Sequence, residues 1–198
     1  PVRAGQDTAL WMAVNHVILK EFYVDRQVPY FTDYLKRYTD TPFLVELTKT
    51  DDGYQPGQFL RADRLDRYRD SEHGEWKLLV FDQLSDQPRA PKGSVGFRWG
   101  QDHGKWNLKM EDGLDESPLD PLLSFLGRHD DVVSVPIHDF ASDRRLLRGV
   151  PVKYVETGQG RVIVTTAFDL LMAQFGVSRG LTGDEPAGYD DAKQPYTP

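Results

Sequence analysis

A helical segment near the start of the chain, apolar on every side, constrains the fold more than any other feature. The sequence predicts a helix over residues 8–22, preceded by Gly5 and Gln6 and capped by Asp7 or Thr8. Its apolar side chains surround the axis, and they are Ala9, Leu10, Trp11, Met12, Ala13, Val14, Val17, Ile18, Leu19 and Phe22. Such a helix is normally enclosed by other elements. We therefore expect the chain of 198 residues to be part of a larger protein body.

A second helix is predicted over residues 28–38, where Pro29 suits the first turn. Four aromatic residues recur at helical spacing along it, namely Tyr30, Phe31, Tyr34 and Tyr38. This spacing predicts that the four rings pack in the core.

Between the helical ends, the hydrophobic pattern changes to that of short strands. The predicted strands cover residues 43–48, 76–81, 95–99, 105–109, 132–135, 150–156 and 161–165. The last two flank Thr157-Gly158-Gln159-Gly160, a strong hairpin signal, and Asp51-Asp52-Gly53 indicates another turn. A final helix is predicted over residues 167–175, ended by Gly176.

These elements predict an α+β fold: a helical N-terminal segment, a β-rich middle insertion with short antiparallel strands and hairpins, and a helical C-terminal part. We assign residues 1–42 to the helical segment of a larger body and residues 43–165 to the β-rich insertion. Residues 166–198 form a helix and a return segment. Thr197 followed by Pro198 is typical of a helix start, so we expect this last part to be truncated at its C-terminus.

The composition excludes several kinds of partner and site. There are 31 acidic and 24 basic residues, and the net charge of -7 repels the phosphate backbone of nucleic acids. The arginine-rich stretch at residues 61–69 alternates with aspartates, which predicts a solvated, ion-paired helix face. Without cysteine, the chain itself cannot form disulfides, zinc ribbons or iron–sulfur clusters. No apolar run reaches the roughly 20 residues needed to span a membrane directly.

The five histidines show no metal-binding spacing. His16 lies within the apolar helix, where a hydrogen-bonded core histidine is favoured over a ligand. His129-Asp130-Asp131 and His138-Asp139 are the remaining metal or acid–base candidates, but adjacent residues point apart and no third ligand follows at a recognisable spacing. We therefore predict no catalytic residue and no metal ligand here.

The turn before the first helix has the physics of an anion or nucleotide site. Gly5 precedes a helix N-terminus, whose N–H groups and dipole favour negative charge. The Asp7 carboxylate can accept two N–H bonds from a purine edge, or it can serve as the helix cap. Gly5, Gln6 and Asp7 are therefore the candidate cofactor-binding residues.

Taken in order, these residues resemble the alpha subunit of respiratory nitrate reductases, which belong to the molybdopterin oxidoreductase family. The resemblance starts with Gly-Gln-Asp-Thr-Ala-Leu at residues 5–10; its most specific part is Gly-Phe-Arg-Trp-Gly at 96–100, followed by Lys-Trp-Asn-Leu at 105–108. Shorter similar stretches cover residues 16–22, 28–34, 37–40, 164–166, 169–170, 179–181, 189–191 and 196–198. The family usually has Gly-Thr-Asp in place of Gly5-Gln6-Asp7, so Gln6 must offer its amide instead of a hydroxyl or leave the contact to Asp7.

The resemblance implies an internal fragment of a catalytic subunit that reduces nitrate to nitrite in anaerobic respiration and nitrate assimilation, inactive alone. The fragment itself would carry no cofactor; the parent enzyme would hold molybdenum bis(molybdopterin guanine dinucleotide) and iron–sulfur clusters. The implied partners are the rest of the alpha subunit, an iron–sulfur beta subunit and a membrane quinol-oxidising subunit for electron transport. Through these partners the enzyme would lie on the cytoplasmic side of the cell membrane.

Two other interpretations stay open. The first is a self-standing, non-catalytic binding or interaction module that docks through its first helix. Such a module should have a closed surface, whereas a fragment should expose a large apolar patch or hide it by self-association. The second is a hydrolase that uses His138 and Asp139, which no motif supports.

Overall fold

The computed structural model describes residues 5–93, 109–138 and 145–181. Its α-helices are α1 (Asp7–Ile18), α2 (Pro29–Tyr38) and α3 (Ala167–Gln174). Its strands are β1 (Leu44–Thr50), β2 (Gly53–Phe59), β3 (Val80–Asp82), β4 (Gln87–Arg89), β5 (Asp131–His138), β6 (Arg145–Thr157) and β7 (Gly160–Thr166). Helices at both ends of the described chain flank a β-rich middle, which confirms the predicted α+β fold. The proposed boundaries between the three parts stay a prediction.

Five strands form one antiparallel sheet in the order β2-β1-β7-β6-β5, and β3 pairs with β4 separately. The predicted hairpin joins β6 to β7: Thr157 pairs with Gly160, and its hydroxyl donates to the Gly160 carbonyl at 2.6 Å. The sheet curls until its two outer strands approach each other. A Cβ built on Gly53 of β2 would lie 2.6 Å from the carbonyl oxygen of Ser134 in β5.

Apolar clusters cover both faces of this sheet, because successive residues of a strand point to opposite sides. Val164 of β7 packs with Leu44 and Phe81 in one cluster. Its neighbour Ile163 packs with the other, which contains Val150 and is closed by α3. Two covered faces explain why β6 shows a nearly continuous run of buried residues.

The first helix is shorter than predicted and changes its winding. α1 ends at Ile18, and a π-helical segment (Leu19–Asp25) follows. The wider turn places Leu19 and Tyr23 against α3, with the Tyr23 and Phe168 ring centroids 4.5 Å apart. Packing against α3 therefore decides the helix end, which periodicity alone places at residue 22.

The second helix begins at Pro29, one residue after the predicted start, with Pro29 in its first turn as predicted, but its tyrosines do not lie in the core. Tyr30, Tyr34 and Tyr38 are 79%, 47% and 51% exposed, and neighbouring rings of the series lie 6.3 and 5.2 Å apart. Only Phe31 of the predicted set packs against a buried cluster. Helical spacing places the three tyrosines on one face but does not determine whether that face is covered.

Other elements correct the sequence analysis. The strand predicted at 76–81 is reduced to β3, because Trp76 belongs to a 3-10 turn (Gly74–Trp76). Residues 61–69 form 3-10 turns rather than a helix face, although ion pairs such as Arg64 to Glu46 at 3.3 Å are present. The strands predicted at 95–99 and 105–109 lie outside the described residues, apart from Lys109. None of the helices in the described ranges is long and apolar enough to span a membrane.

Candidate functional site

The candidate cofactor-binding turn lies at the N-terminus of α1 and is exposed. Gly5 has a φ of +83°, which favours glycine, and a Cβ built on it would meet no atom within 4 Å. Gln6 is the N-cap without a side-chain capping bond, and its carbonyl accepts from Leu10 N at 3.1 Å. Asp7 is already helical, so the predicted cap at Asp7 or Thr8 is wrong. The backbone enters the helix one residue earlier than side-chain preferences indicate.

This turn can bind an anion or the polar edge of a nucleotide base. The N–H groups and dipole of the helix start attract negative charge. The exposed Asp7 carboxylate offers two acceptor oxygens to paired N–H donors, as on a guanine edge. No side chain caps the helix, so the first N–H groups of α1 are not satisfied by a capping side chain.

The apolar surface of α1 is only partly covered. His16 is its one buried residue, and Leu10 and Trp11 are 43% and 63% exposed. Ile18 and Phe22 are 36% and 37% exposed on the same stretch of chain. The described residues therefore cover one side of a helix that is apolar all round.

His16 is a core histidine, as predicted. It is fully buried, and its Nδ1 lies 2.8 Å from the carbonyl oxygen of Phe175, to which it donates. The bond joins α1 to the residue that follows α3. Its role is to hold two helices together.

Among the described residues, no group of three or more His, Cys, Asp or Glu side chains is placed to hold a metal ion. Asp130 and Asp131 bind β6 instead: Asp130 accepts from Tyr154 N at 2.8 Å, and Asp131 accepts from the Tyr154 hydroxyl at 3.3 Å. His138 is exposed at the end of β5, and Asp139 lies outside the described residues.

Asp169 makes several buried polar contacts, although the sequence analysis did not single it out. It lies in the first turn of α3 and is fully buried. Its carboxylate accepts from Ser124 Oγ at 2.6 Å, Phe125 N at 2.8 Å and Arg179 Nη1 at 2.5 Å. These bonds join α3 to a loop and to the segment after the helix.

Thr166 completes this network as the N-cap of α3. Its hydroxyl accepts from Asp169 N at 3.0 Å and lies 2.6 Å from the Leu123 carbonyl, to which it donates. The Thr-x-x-Asp spacing is a helix-start signal readable from sequence. The contacts with Ser124 and Arg179 depend on the tertiary fold and have no such signal.

A second buried network surrounds Tyr68. Its hydroxyl donates to Asp112, accepts from Ala90 N at 3.2 Å, and Arg89 Nη1 also donates to Asp112 at 3.2 Å. Burial first, and then the hydrogen bond to Asp112, raises the pKa of Tyr68 to about 12. The phenol therefore stays protonated at neutral pH and acts as a structural donor.

A cleft of about 540 Å³ lies between β4 and the end of β6. In this cleft, Nζ of Lys153 lies 3.9 Å from Oδ1 of Asp86 and 4.0 Å from Oδ1 of Asp130. The same Nζ lies 4.7 Å from the Phe81 ring centroid. The cleft therefore carries charges of both signs, and Lys153 is shared between two carboxylates.

The chain is similar along its whole length to known proteins. It is 42% identical over 200 residues to the nitrate reductase alpha chain of Bacillus subtilis, an alignment that covers 100% of the chain. A nitrate reductase alpha subunit of Mycobacterium tuberculosis is also 42% identical, over 98% of the chain. The respiratory nitrate reductase 1 alpha chain of Escherichia coli is 40% identical over 99%. No model of a protein family matches.

The chain spans only 16% to 17% of the length of these relatives. An alignment that runs from one end of the chain to the other is too long to arise from a shared motif or similar composition. The resemblance inferred from residues 5–10 and the later blocks is thus confirmed. The chain belongs to the nitrate reductase alpha-chain family, as the counterpart of one segment of its much longer members.

Proposed function

We propose that the chain is a segment of the catalytic subunit of a molybdenum-dependent nitrate reductase and is inactive when isolated. The observation that carries this proposal is the end-to-end alignment with nitrate reductase alpha chains, of which the chain spans about one sixth. The parent enzyme reduces nitrate to nitrite with two electrons and two protons, a reaction that needs a redox cofactor.

The exposed apolar side chains of α1 support this proposal. Trp11 is 63% exposed, and Leu10, Ile18 and Phe22 are exposed by more than a third. Soluble monomers rarely expose contiguous apolar patches of this kind, which usually mark an interface. We propose that other parts of the alpha subunit cover this face of α1.

Gly5, Gln6 and Asp7 are proposed to lie beside a guanine dinucleotide of the cofactor. When bound, the molybdenum centre supplies the two-electron redox chemistry. The Asp7 carboxylate would accept hydrogen bonds from the N–H groups of the guanine edge and so orient the base. The open space at Gly5 would let the nucleotide approach the backbone. The Gln6 amide offers both a donor and an acceptor where the family usually has a threonine hydroxyl.

The partners follow from the same proposal. Two Escherichia coli relatives are named respiratory nitrate reductase alpha chains. We propose that the parent subunit receives electrons from an iron–sulfur beta subunit and a membrane quinol-oxidising subunit, and lies on the cytoplasmic side of the membrane through them. The chain has no cysteine, so cluster ligands must come from other segments or subunits.

The native protein tests this assignment directly. An antibody against the chain should detect a polypeptide about six times longer, as the relatives are. The purified native protein should contain molybdenum and reduce nitrate with a reduced viologen dye, whereas the isolated chain should do neither. A native polypeptide of about 198 residues without molybdenum would contradict the proposal.

A variant pair tests the cofactor contact. In the intact enzyme, Asp7→Asn should lower cofactor affinity about tenfold, because it removes a charged hydrogen bond. The measurement is molybdenum retained per subunit after dilution. Asp33→Asn is the control, because this exposed carboxylate pairs with Arg37 on its own helix, at 2.8 Å. Equal retention in both variants would exclude the Asp7 contact and leave the reductase assignment intact.

The exposed face of α1 distinguishes a segment from a self-standing module. The isolated chain should self-associate and bind an apolar dye, and Leu10→Gln with Trp11→Glu should reduce both. Light scattering and dye fluorescence measure the two effects. If the wild-type chain is a monomer and binds as little dye as the variant, the result favours a self-standing binding module.

A further inference from the structure

Arg148 is a buried cation whose donors lack acceptors. It lies on β6 opposite Val135 of β5 and is 3% exposed. Its Nε and Nη1 atoms are buried and have no hydrogen-bond partner in the described part of the chain. A guanidinium is a planar cation with five N–H donors and no acceptor. Unpaired buried donors of this kind are destabilising, and a charged group more so than a neutral one.

The guanidinium lies against the turn that follows α3. A Cβ built on Gly176 would come within 3.2 Å of Nη2 and 3.3 Å of Nη1, so glycine leaves the space that the flat cation occupies. Two residues earlier, Gln174 Nε2 is also buried and has no hydrogen-bond partner among the described residues. Two side chains near the end of α3 therefore carry donors that no described residue satisfies.

The backbone of α3 does not satisfy these donors. The carbonyl oxygens of its last turn accept from backbone N–H groups that follow: Leu171 from Phe175, Met172 from Val177 and Ala173 from Gly176, at 3.0 to 3.2 Å. The buried carboxylates of the described residues are also engaged. Asp82 binds Ser85, Asp112 binds Arg89, and Asp169 binds Arg179.

We propose that Arg148 forms an anion site, which binds a carboxylate or a small planar oxyanion. The guanidinium presents parallel N–H donors that match two oxygens of one planar anion. The anion is supplied either by the solution or by an acidic side chain of another polypeptide segment. The site is made by residues of this chain, so it does not depend on the proposed reductase function.

Thermal unfolding of the 198-residue chain tests the site, with chloride replaced by formate, acetate or nitrate at constant ionic strength. The Tm of the wild type should rise saturably, by about 3 °C at ten times the dissociation constant. Arg148→Met should abolish the rise. Arg145→Met should retain it, because Arg145 lies on the same strand with a side chain that is 62% exposed.

Arg148→Lys is a milder variant that keeps the charge and loses the planar fork. It should weaken the anion affinity about tenfold, which is the loss of one charge-assisted hydrogen bond. If Arg148→Met does not fold, this variant decides the question. An anion response equal to that of the wild type in either Arg148 variant would overturn the proposal.

The intact alpha subunit distinguishes the two sources of the anion. A Tm response to added oxyanion that persists in the intact subunit identifies a free anion. A response that disappears, together with a lower Tm for Arg148→Met, identifies a carboxylate from another segment of the subunit. The proposal is overturned if the intact subunit shows no Tm response to added oxyanion and Arg148→Met does not lower its Tm. This holds even if the subunit reduces nitrate.

Discussion

Asp169→Asn should be among the most destabilising conservative substitutions in this chain. The carboxylate is fully buried and accepts hydrogen bonds from Ser124, Phe125 and Arg179. The Arg179 side chain is 1% exposed, so it cannot turn to water once the negative charge is lost. The substitution therefore removes the negative member of a buried ion pair, whose atoms lie 2.5 Å apart.

The magnitude follows from that geometry. Removing one partner of a buried ion pair costs about 3–5 kcal/mol. The asparagine still offers an oxygen to Ser124 or Phe125, so we expect the lower end, about 3 kcal/mol. In a domain of this size each 1 kcal/mol shifts the Tm by about 2–4 °C, so the Tm should fall by about 6–12 °C.

Urea unfolding of the wild type and variants measures this free energy. Asp33→Asn, in an exposed pair with Arg37, should change it by less than about 0.5 kcal/mol. Replacing both partners, Asp169→Leu with Arg179→Met, should recover part of the loss, because neither charge of the pair is then buried, although Ser124 and Phe125 N lose their acceptor. A loss below about 1 kcal/mol for Asp169→Asn would refute the reasoning.

Four further substitutions test other parts of the fold by urea unfolding. Gly53→Ala should cost more than about 2 kcal/mol, because φ is +129° and the new Cβ would lie 2.6 Å from the Ser134 carbonyl oxygen. Its control is Gly127→Ala, which should cost about 1 kcal/mol, because φ is +81° but no atom lies within 4 Å of the new Cβ. Thr166→Ala should cost about 1–2 kcal/mol through the lost cap. Burial acts to raise the pKa of Asp82, but hydrogen bonds from the Ser85 hydroxyl and backbone N–H groups outweigh it and lower the pKa below 3.8. Wild type should therefore have a higher free energy of unfolding than Asp82→Asn. This difference should be fully present above pH 3.8 and should disappear as the pH falls through the pKa of Asp82 in the folded protein.

Elements fixed by neighbouring residues were predicted well. Pro29 sets the start of α2, the 157–160 turn joins β6 to β7, and Gly176, with φ +63°, follows α3. Each depends on the backbone preferences of a few adjacent residues. β2 has no such signal, because Gly53, Pro56 and Gly57 disfavour a strand. Its pairing with β1 stabilises it instead.

The candidate sites also differ in whether adjacent residues or tertiary packing determine them. Gly5, Gln6 and Asp7 were identified from a glycine turn before a helix, and the structure leaves them open at the start of α1. The sequence analysis did not identify Arg148 as an anion site, because its burial comes from the packing of β6 against the turn after α3.

By itself, the sequence determined the α+β class, the local turns and the resemblance to nitrate reductase alpha chains, because these depend on residue order. Only the tertiary structure decided which apolar and charged groups are covered. Tyr34 and Phe31 follow the same helical period, yet Tyr34 is exposed and Phe31 packs against the buried cluster that contains Leu19. Periodicity states which residues share a face, whereas burial depends on elements that are distant in the chain.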